Sequence, residues 1–220
     1  MNKVYLVRHG ENPANITEEL SCNKIDYPLT AKGRLQAQQT AEYFEHKSID
    51  LIFASPLKRA AETAQIIGDR LGIEPVIIES LREINVGRLE GMPDRDEMWR
   101  THNEIFFAWM DGKSDARFPD GEDFNMCNAR MLNAMHRILT GNHERRIVVV
   151  GHGGLFLTTI GILSQDTSMQ NISTQVSHNC SISELEIDLT NGQIQGKLLR
   201  WADNSHIHDE AADFVLGYRI

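Results

Sequence analysis

The chain has 220 residues, 41% hydrophobic and 24% charged, with 22 lysines and arginines against 31 aspartates and glutamates and a formal net charge of −9. Apolar residues recur in blocks large enough to bury a core, which excludes a disordered chain. The acidic excess excludes general binding of nucleic acid or of an anionic membrane, both of which would be repelled at long range, but it leaves room for a local cationic pocket.

After Met1-Asn2-Lys3 the apolar run Val4 to Val7 is too short for a signal-peptide core or a membrane span, so the expected location is the cytosol. The same run predicts a first strand, buried on both faces as in a parallel sheet. Thr30 is the expected N-cap of a helix reaching about His46, with Leu35, Ala37, Thr40, Ala41 and Phe44 as its inner stripe. Leu51 to Phe53 is a second strand. Ser55-Pro56 then predicts a helix start, a capping hydroxyl followed by a proline whose missing N–H costs nothing, and Gly72 the stop. Val76 to Ile78 is a third strand.

Asp94 to Met110 and Glu122 to Leu139 predict helices closed by Gly112 and Gly141, with the polar loop Lys113 to Gly121 between them. Ile147 to Val150 is the most apolar strand, and Gly153-Gly154 passes it to a helix around Leu155 to Leu163. Ser181 to Leu189 and Ile194 to Trp201 flank Asn191-Gly192, a pair suited to the primed turns of antiparallel hairpins. This order predicts one α/β domain over residues 1–220: a mainly parallel sheet, helices on both faces and an antiparallel edge. Cys22, Cys127 and Cys180 are odd in number and far apart, which suits reduced thiols rather than a disulfide framework or a zinc knuckle.

In such sheets the active site lies beyond the carboxyl ends of the strands. The first strand ends in Arg8-His9-Gly10-Glu11, the second runs into Ala54-Ser55-Pro56-Leu57-Lys58-Arg59, and the fourth into Gly151-His152-Gly153-Gly154. Two imidazoles and two guanidiniums thus converge on one rim. Competing motifs fail on spacing. A dinucleotide fingerprint starting at Gly151 meets Phe156 where its third glycine belongs, a phosphate loop ending in Gly112-Lys113-Ser114 meets Phe107 upstream, and no Gly-x-Ser-x-Gly elbow occurs. His206-x-His208 lies in a polar tail without an evident third metal ligand.

Leu6-Val7-Arg8-His9-Gly10-Glu11 resembles the hallmark of the histidine phosphatase superfamily, in the branch of cofactor-dependent phosphoglycerate mutases and their phosphatase relatives. Four further blocks follow in that family's order. They are Asp26-Tyr27-Pro28-Leu29-Thr30 with Gly33, Gln36 and Ala37; Ser55 to Ala60 with Thr63-Ala64; Leu81-Arg82-Glu83 with Gly87 and Glu90-Gly91; and Gly151-His152-Gly153-Gly154. The resemblance implies a phosphoglycerate mutase-like fold in which 92–124 forms a helical cap that selects the substrate. It implies His9 as a nucleophile that becomes phosphorylated. Arg8, Asn15, Arg59, His152 and Gly153 would surround the phosphoryl group, and Glu83 would be the proton donor. Two departures are Asn12, where the family often has Thr, and Gly121-Glu122-Asp123, where Gly-Glu-Ser is frequent.

These residue types suit phosphoryl transfer. Arginine forks bind phosphate oxygens and stay charged, so no metal or other cofactor is implied. His9 should be neutral, with its second ring N–H held by a backbone carbonyl, and a protonated His152 would stabilise the equatorial oxygens. Glu83 should keep a proton near neutral pH to protonate the leaving oxygen, and then act as a base towards water. Glu11 and Glu90 look like supports for arginines or backbone. Among Trp99, Phe106, Phe107, Trp109 and Phe118, most should be core and one or two should face the ligand.

The expected activity is metal-independent hydrolysis of small phosphomonoesters. The partner is then a small phosphorylated metabolite, with no nucleic acid and no membrane, and a homodimer is left open. A phosphoglycerate mutase dependent on 2,3-bisphosphoglycerate would use the same residues, but such mutases carry longer, more basic insertions where Asn85 to Asp96 holds only Arg88 and Arg95. A non-catalytic phosphate-binding or signalling protein would be marked by loss of His9 or Glu83, and both are present.

Overall fold

A computed structural model describes residues 1–215 of the chain. β1 (Asn2–Arg8) is followed by α1 (Pro13–Thr17), α2 (Ala31–Glu45), β2 (Leu51–Ala54), α3 (Lys58–Leu71) and β3 (Val76–Ile77). Then come α4 (Arg95–Met110), α5 (Phe124–Leu139), β4 (Arg146–Gly151), α6 (Gly153–Leu163), α7 (Met169–Ile172), β5 (Ile182–Thr190) and β6 (Gln193–Asp203). The six strands form one sheet in the order β3-β2-β4-β1-β5-β6. β3, β2, β4 and β1 are parallel, and β5 and β6 add the antiparallel edge. The α/β architecture read from the sequence is the one observed.

Strand alternation divides the core in two, because successive side chains point to opposite faces. Val4, Leu6, Ile147 and Val149 pack on one face with Met131 and Ile138 of α5 and Leu155 and Ile160 of α6. Tyr5, Val7, Val148 and Val150 pack on the other with Ala41 and Phe44 of α2 and Ala64 and Ile67 of α3. Burial of a side chain the size of Phe44 or Ile67 contributes about 1.5–3 kcal/mol, so the apolar strands are held from both sides. At the hairpin, Asn191 and Gly192 have φ of 52° and 76°, the left-handed pair that a primed turn needs.

The helix at residue 58 starts later than expected. Leu57 is its N-cap and makes no side-chain capping bond; the Oδ1 of Asp26 instead accepts the Lys58 N–H at 2.9 Å. The Ser55 hydroxyl accepts the Leu57 N–H at 3.3 Å, which turns the chain ahead of the helix, and meets the His152 ring at 2.7 Å. The fifth helix likewise begins at Phe124 with Asp123 as its N-cap, because the Glu122 carboxylate is held by Arg130. The third strand stops at Ile77, leaving Ile78 buried beyond it. Thr30 caps α2 through the Gly33 N–H, as expected. α1 escaped the sequence because it is short; Asn12 and Asn15 close it in a reciprocal capping box.

Candidate active site

The register of the sheet assembles the site. Arg8 lies opposite Gly151 across β1 and β4, and Ala54 opposite Val150 across β2 and β4. The residues that follow therefore emerge together beyond the carboxyl ends of three adjacent strands. His9 and His152 leave side by side, with ring centroids 5.3 Å apart, and the first turn of α3 carries Arg59 to both. All three side chains and Arg8 are buried.

Hydrogen bonds assign the two imidazole tautomers. His9 Nδ1 lies 2.7 Å from the Gly10 carbonyl, which can only accept, so Nδ1 carries the proton and Nε2 the lone pair. Arg59 Nε donates to that Nε2 at 3.1 Å. Burial, followed by the charges of Arg59 and Arg8, holds the His9 pKa well below 6.5, against the opposing bond to Gly10. His9 is thus neutral, with its unprotonated nitrogen directed at a guanidinium.

His152 is also uncharged in the unliganded site. Its Nδ1 takes a hydrogen bond from Arg59 Nη2 at 3.2 Å, so its proton sits on Nε2 and is donated to Ser55. Burial, with Arg59 next, keeps its pKa well below 6.5 as well. Arg59 also donates to the Ser21 carbonyl at 2.7 Å and the Ser21 hydroxyl at 3.2 Å, with Asp26 4.0 Å away. Arg8 donates to the Ser177 carbonyl and would lie 3.4 Å from a Cβ at Gly153.

Glu83 reaches the same rim from the turn after Glu79–Leu81. Its carboxylate accepts N–H bonds from Ile84 at 2.9 Å, Gly154 at 3.2 Å and Leu155 at 2.8 Å, the last two at the positive N-terminus of α6. A Cβ on residue 154 would meet Glu83 Oε1 at 3.0 Å, so a glycine there leaves room for the carboxylate.

The family profile described as the histidine phosphatase superfamily (branch 1) matches residues 4–202. The chain belongs to the histidine phosphatase superfamily. It is 33% identical to a probable phosphoglycerate mutase GpmB of Enterobacter sp. (strain 638), over 97% of this chain and 98% of that one. It is 32% identical to an uncharacterized phosphatase, PhoE, of Bacillus subtilis, over 70% of this chain and 72% of that one. The solved structure of YhfR from Bacillus stearothermophilus superposes with a TM-score of 0.78 at 28% identity, covering 94% of this chain and all of the other. The chain is an enzyme of this phosphatase family.

Around the histidine phosphatase rim lies a supporting layer that sequence reasoning found only in part. Arg130 of α5 donates to Glu122 through Nε at 2.7 Å and Nη2 at 2.9 Å. It also reaches the carbonyls of Ser80 at 2.9 Å, Arg82 at 2.6 Å and Glu83 at 3.2 Å. Glu122 Oε2 accepts the Asn85 N–H at 2.8 Å, so one buried ion pair grips the segment that carries Glu83 from both sides. Arg130 sits among ordinary helix positions, and its only signal was the acid at 122.

Glu90 accepts the backbone N–H groups of Cys22, Asn23, Lys24 and Ile25 within 2.8–3.0 Å. Burial pushes its carboxyl up, and the four bonds outweigh that and hold it below the usual carboxylate range. The loop so fixed presents Ser21 to Arg59. Glu11 bonds the Thr30 hydroxyl at 2.8 Å and pairs with Lys32 at 2.9 Å. Glu90 supports backbone, as its sequence context suggested, whereas the Glu11 side chain holds a hydroxyl and a lysine rather than an arginine or backbone.

Asn15 lines the site cavity, but its Oδ1 accepts from the Asn12 N–H at 3.1 Å and from Asn179 Nδ2 at 3.1 Å. What it offers a ligand is its amide N–H. Asn179 also holds the His9 carbonyl at 3.0 Å and was not found from sequence. Asn12, buried on the same cavity, caps α1 with Oδ1 while its Nδ2 has no hydrogen-bond partner among the described residues.

The cavity measures about 440 Å³, and Trp99, His102 and Phe106 of α4 line it together with His9. Phe106, Trp109 and Phe118 are buried in the core, and Phe107 is exposed. Arg88 pairs with Asp120 at 2.5 Å on the surface and does not line the cavity. The tail is less solvated than expected: His206 Nε2 lies 3.1 Å from the Thr40 hydroxyl, and its ring packs on Tyr43. Among the described residues no three His, Cys, Asp or Glu side chains gather as metal ligands, and no helix is long and apolar enough to cross a membrane. Burial pushes the Cys22 and Cys180 thiols up to about 12.

Proposed function

We propose that the protein is a metal-independent phosphatase that hydrolyses small phosphomonoesters through a phosphohistidine on His9. The observation that supports this is a neutral imidazole whose unprotonated Nε2 faces a buried guanidinium 3.1 Å away. Arginine charge there has a use in a phosphoryl dianion, whose oxygens the Arg8 and Arg59 forks would hold while Nε2 attacks phosphorus. The bond to the leaving oxygen breaks with its electron pair, and that oxygen takes a proton from Glu83. Water then attacks the phosphohistidine, giving its proton back to Glu83, and orthophosphate leaves. The dianion also offsets the field of the two arginines, so His152 can take up a proton and stabilise the spreading charge. The helix α4 would serve as the cap that chooses the leaving group.

Purified protein with a metal chelator should release p-nitrophenol from p-nitrophenyl phosphate, and a rapid quench of a phosphorus-labelled substrate into alkaline denaturant, in which a phosphohistidine survives, should trap label on His9. Persistent turnover in His9→Ala would sink the nucleophile assignment. A second reading, a phosphoglycerate mutase, is supported by the name of the GpmB relative. It wins if 3-phosphoglycerate isomerisation with added 2,3-bisphosphoglycerate greatly outpaces hydrolysis.

A further inference from the structure

The phosphoryl end of the cavity and its remaining walls differ in character. Among the described residues that line it, Arg8 and Arg59 are the only cations, and both lie at the phosphoryl end, against Gly153 and His9. Glu18 and Glu19 add carboxylates to the lining, with Glu83 beside the reacting group. Leu20, Val86, Trp99, Phe106, Leu157 and Trp201 make apolar walls. His102 adds no positive charge at neutral pH, because burial pushes it down to about 4. A cavity of about 440 Å³ lies in the range that encloses a whole small organic molecule, so it holds more than a phosphate.

We propose that this site takes phosphomonoesters whose leaving group is uncharged and largely apolar, and that it discriminates against a second anionic group on the substrate. This rests on the phosphatase reading above. An apolar alcohol gains by leaving water for the aromatic and aliphatic walls. A carboxylate on the leaving group would lose its hydration, find no second cation among the described lining residues, and meet Glu18 and Glu19 as like charges. Phosphoglycerate therefore fits the phosphoryl end and not the walls.

The test compares kcat/KM for methyl phosphate, 2-phenylethyl phosphate and 3-phosphoglycerate. Methyl and phenylethyl leaving alcohols are of similar acidity, so their ratio reads the walls rather than the chemistry. 2-Phenylethyl phosphate should exceed methyl phosphate at least tenfold, and 3-phosphoglycerate should not exceed it. Trp99→Ala should cut the phenylethyl-to-methyl ratio tenfold. Glu19→Lys, at the partly exposed rim, should raise the ratio of 3-phosphoglycerate to methyl phosphate several-fold without disturbing the core. A phenylethyl-to-methyl ratio near one, or 3-phosphoglycerate as the best of the three, overturns the proposal. If no ester turns over, the phosphatase reading fails on its own, and calorimetry with phosphonates still decides the walls. Tenfold tighter binding of 2-phenylethylphosphonate than of methylphosphonate upholds the proposal; equal affinity overturns it.

Discussion

Replacing His102 by leucine should make the protein's stability less sensitive to acid. His102 is stacked on Phe106 with ring centroids 4.5 Å apart and stands edge-on to Trp99 at 5.1 Å. Burial there brings its pKa from 6.5 down to about 4, against a hydrogen bond to Asn103 that works the other way. In the unfolded chain the ring takes up a proton below about 6.5, while in the fold it stays neutral to about 4. Stability from this residue is therefore fully present above 6.5 and is lost as pH falls towards 4. Linkage at about 1.4 kcal/mol per pH unit makes the whole loss about 3 kcal/mol, of which about 2 kcal/mol is gone by pH 5. Urea unfolding at pH 7.5 and pH 5 reads it directly. The drop between the two should be about 2 kcal/mol smaller in His102→Leu than in the unaltered protein. An equal drop in both would refute the claim that His102 is held neutral by the fold.

Arg130→Met leaves the Glu122 carboxylate buried beside only the Asn85 N–H, which should cost about 3–5 kcal/mol and lower Tm by roughly 6–20 °C. If Arg130 also positions Glu83, the surviving enzyme should lose alkyl phosphates more than aryl phosphates, whose leaving groups need less protonation; equal losses would reduce Arg130 to a structural role. Asn12→Asp keeps the oxygen that caps α1 but replaces an unpartnered buried N–H2 with negative charge beside the anion site. Vanadate should bind at least tenfold more weakly, about 1.4 kcal/mol, with Tm nearly unchanged; unaltered vanadate affinity would remove Asn12 from the site. Glu90→Gln offers one carbonyl oxygen to four N–H donors, so the Ser21 loop should loosen and KM should rise more than kcat falls. The opposite split would place Glu90 in the chemistry rather than in holding Arg59.

How much of this was legible depended on whether a contact is local along the chain. Strand ends are local, so His9, Arg59 and His152 could be brought to one rim from apolar runs alone, and the parallel register then aligned them. Caps were legible where the capping side chain was adjacent, as at Thr30, and missed where it came from afar, as when Asp26 caps α3. Ser55 illustrates why: its local bond to the Leu57 N–H is of the kind a sequence suggests, whereas its contact with His152 comes from 97 positions away. Glu122 stands only eight positions from Arg130, but the carbonyl of Arg82 that Arg130 holds lies 48 positions away, and the His9 carbonyl lies 170 from Asn179, so neither role was visible. The neutral state of His152 in the unliganded site is likewise a product of the assembled fold. Burial disfavours the cation most, and arginines close enough to bind phosphate are also close enough to repel a proton before phosphate arrives.

That last point gives the arginine field two roles. In the unliganded protein, burial and the charges of Arg59 and Arg8 strip the proton from His9 Nε2, keeping the proposed nucleophile competent well below pH 6.5. The same field, with burial, leaves His152 without a proton on the nitrogen that faces Arg59. A bound dianion cancels much of the field, and its effect on the two rings would not be the same. His9 Nε2 would be turned towards phosphorus and on its way to a covalent bond, whereas His152 Nδ1 would be free to exchange its bond from Arg59 for a proton and a phosphoryl oxygen. An acidic chain of net charge −9 can thus gather positive charge at one rim, where the guanidiniums are buried and Arg59 is held by neutral acceptors of Ser21. Those acceptors fix the guanidinium without cancelling its charge, and Asp26, 4.0 Å away, offsets only part of it.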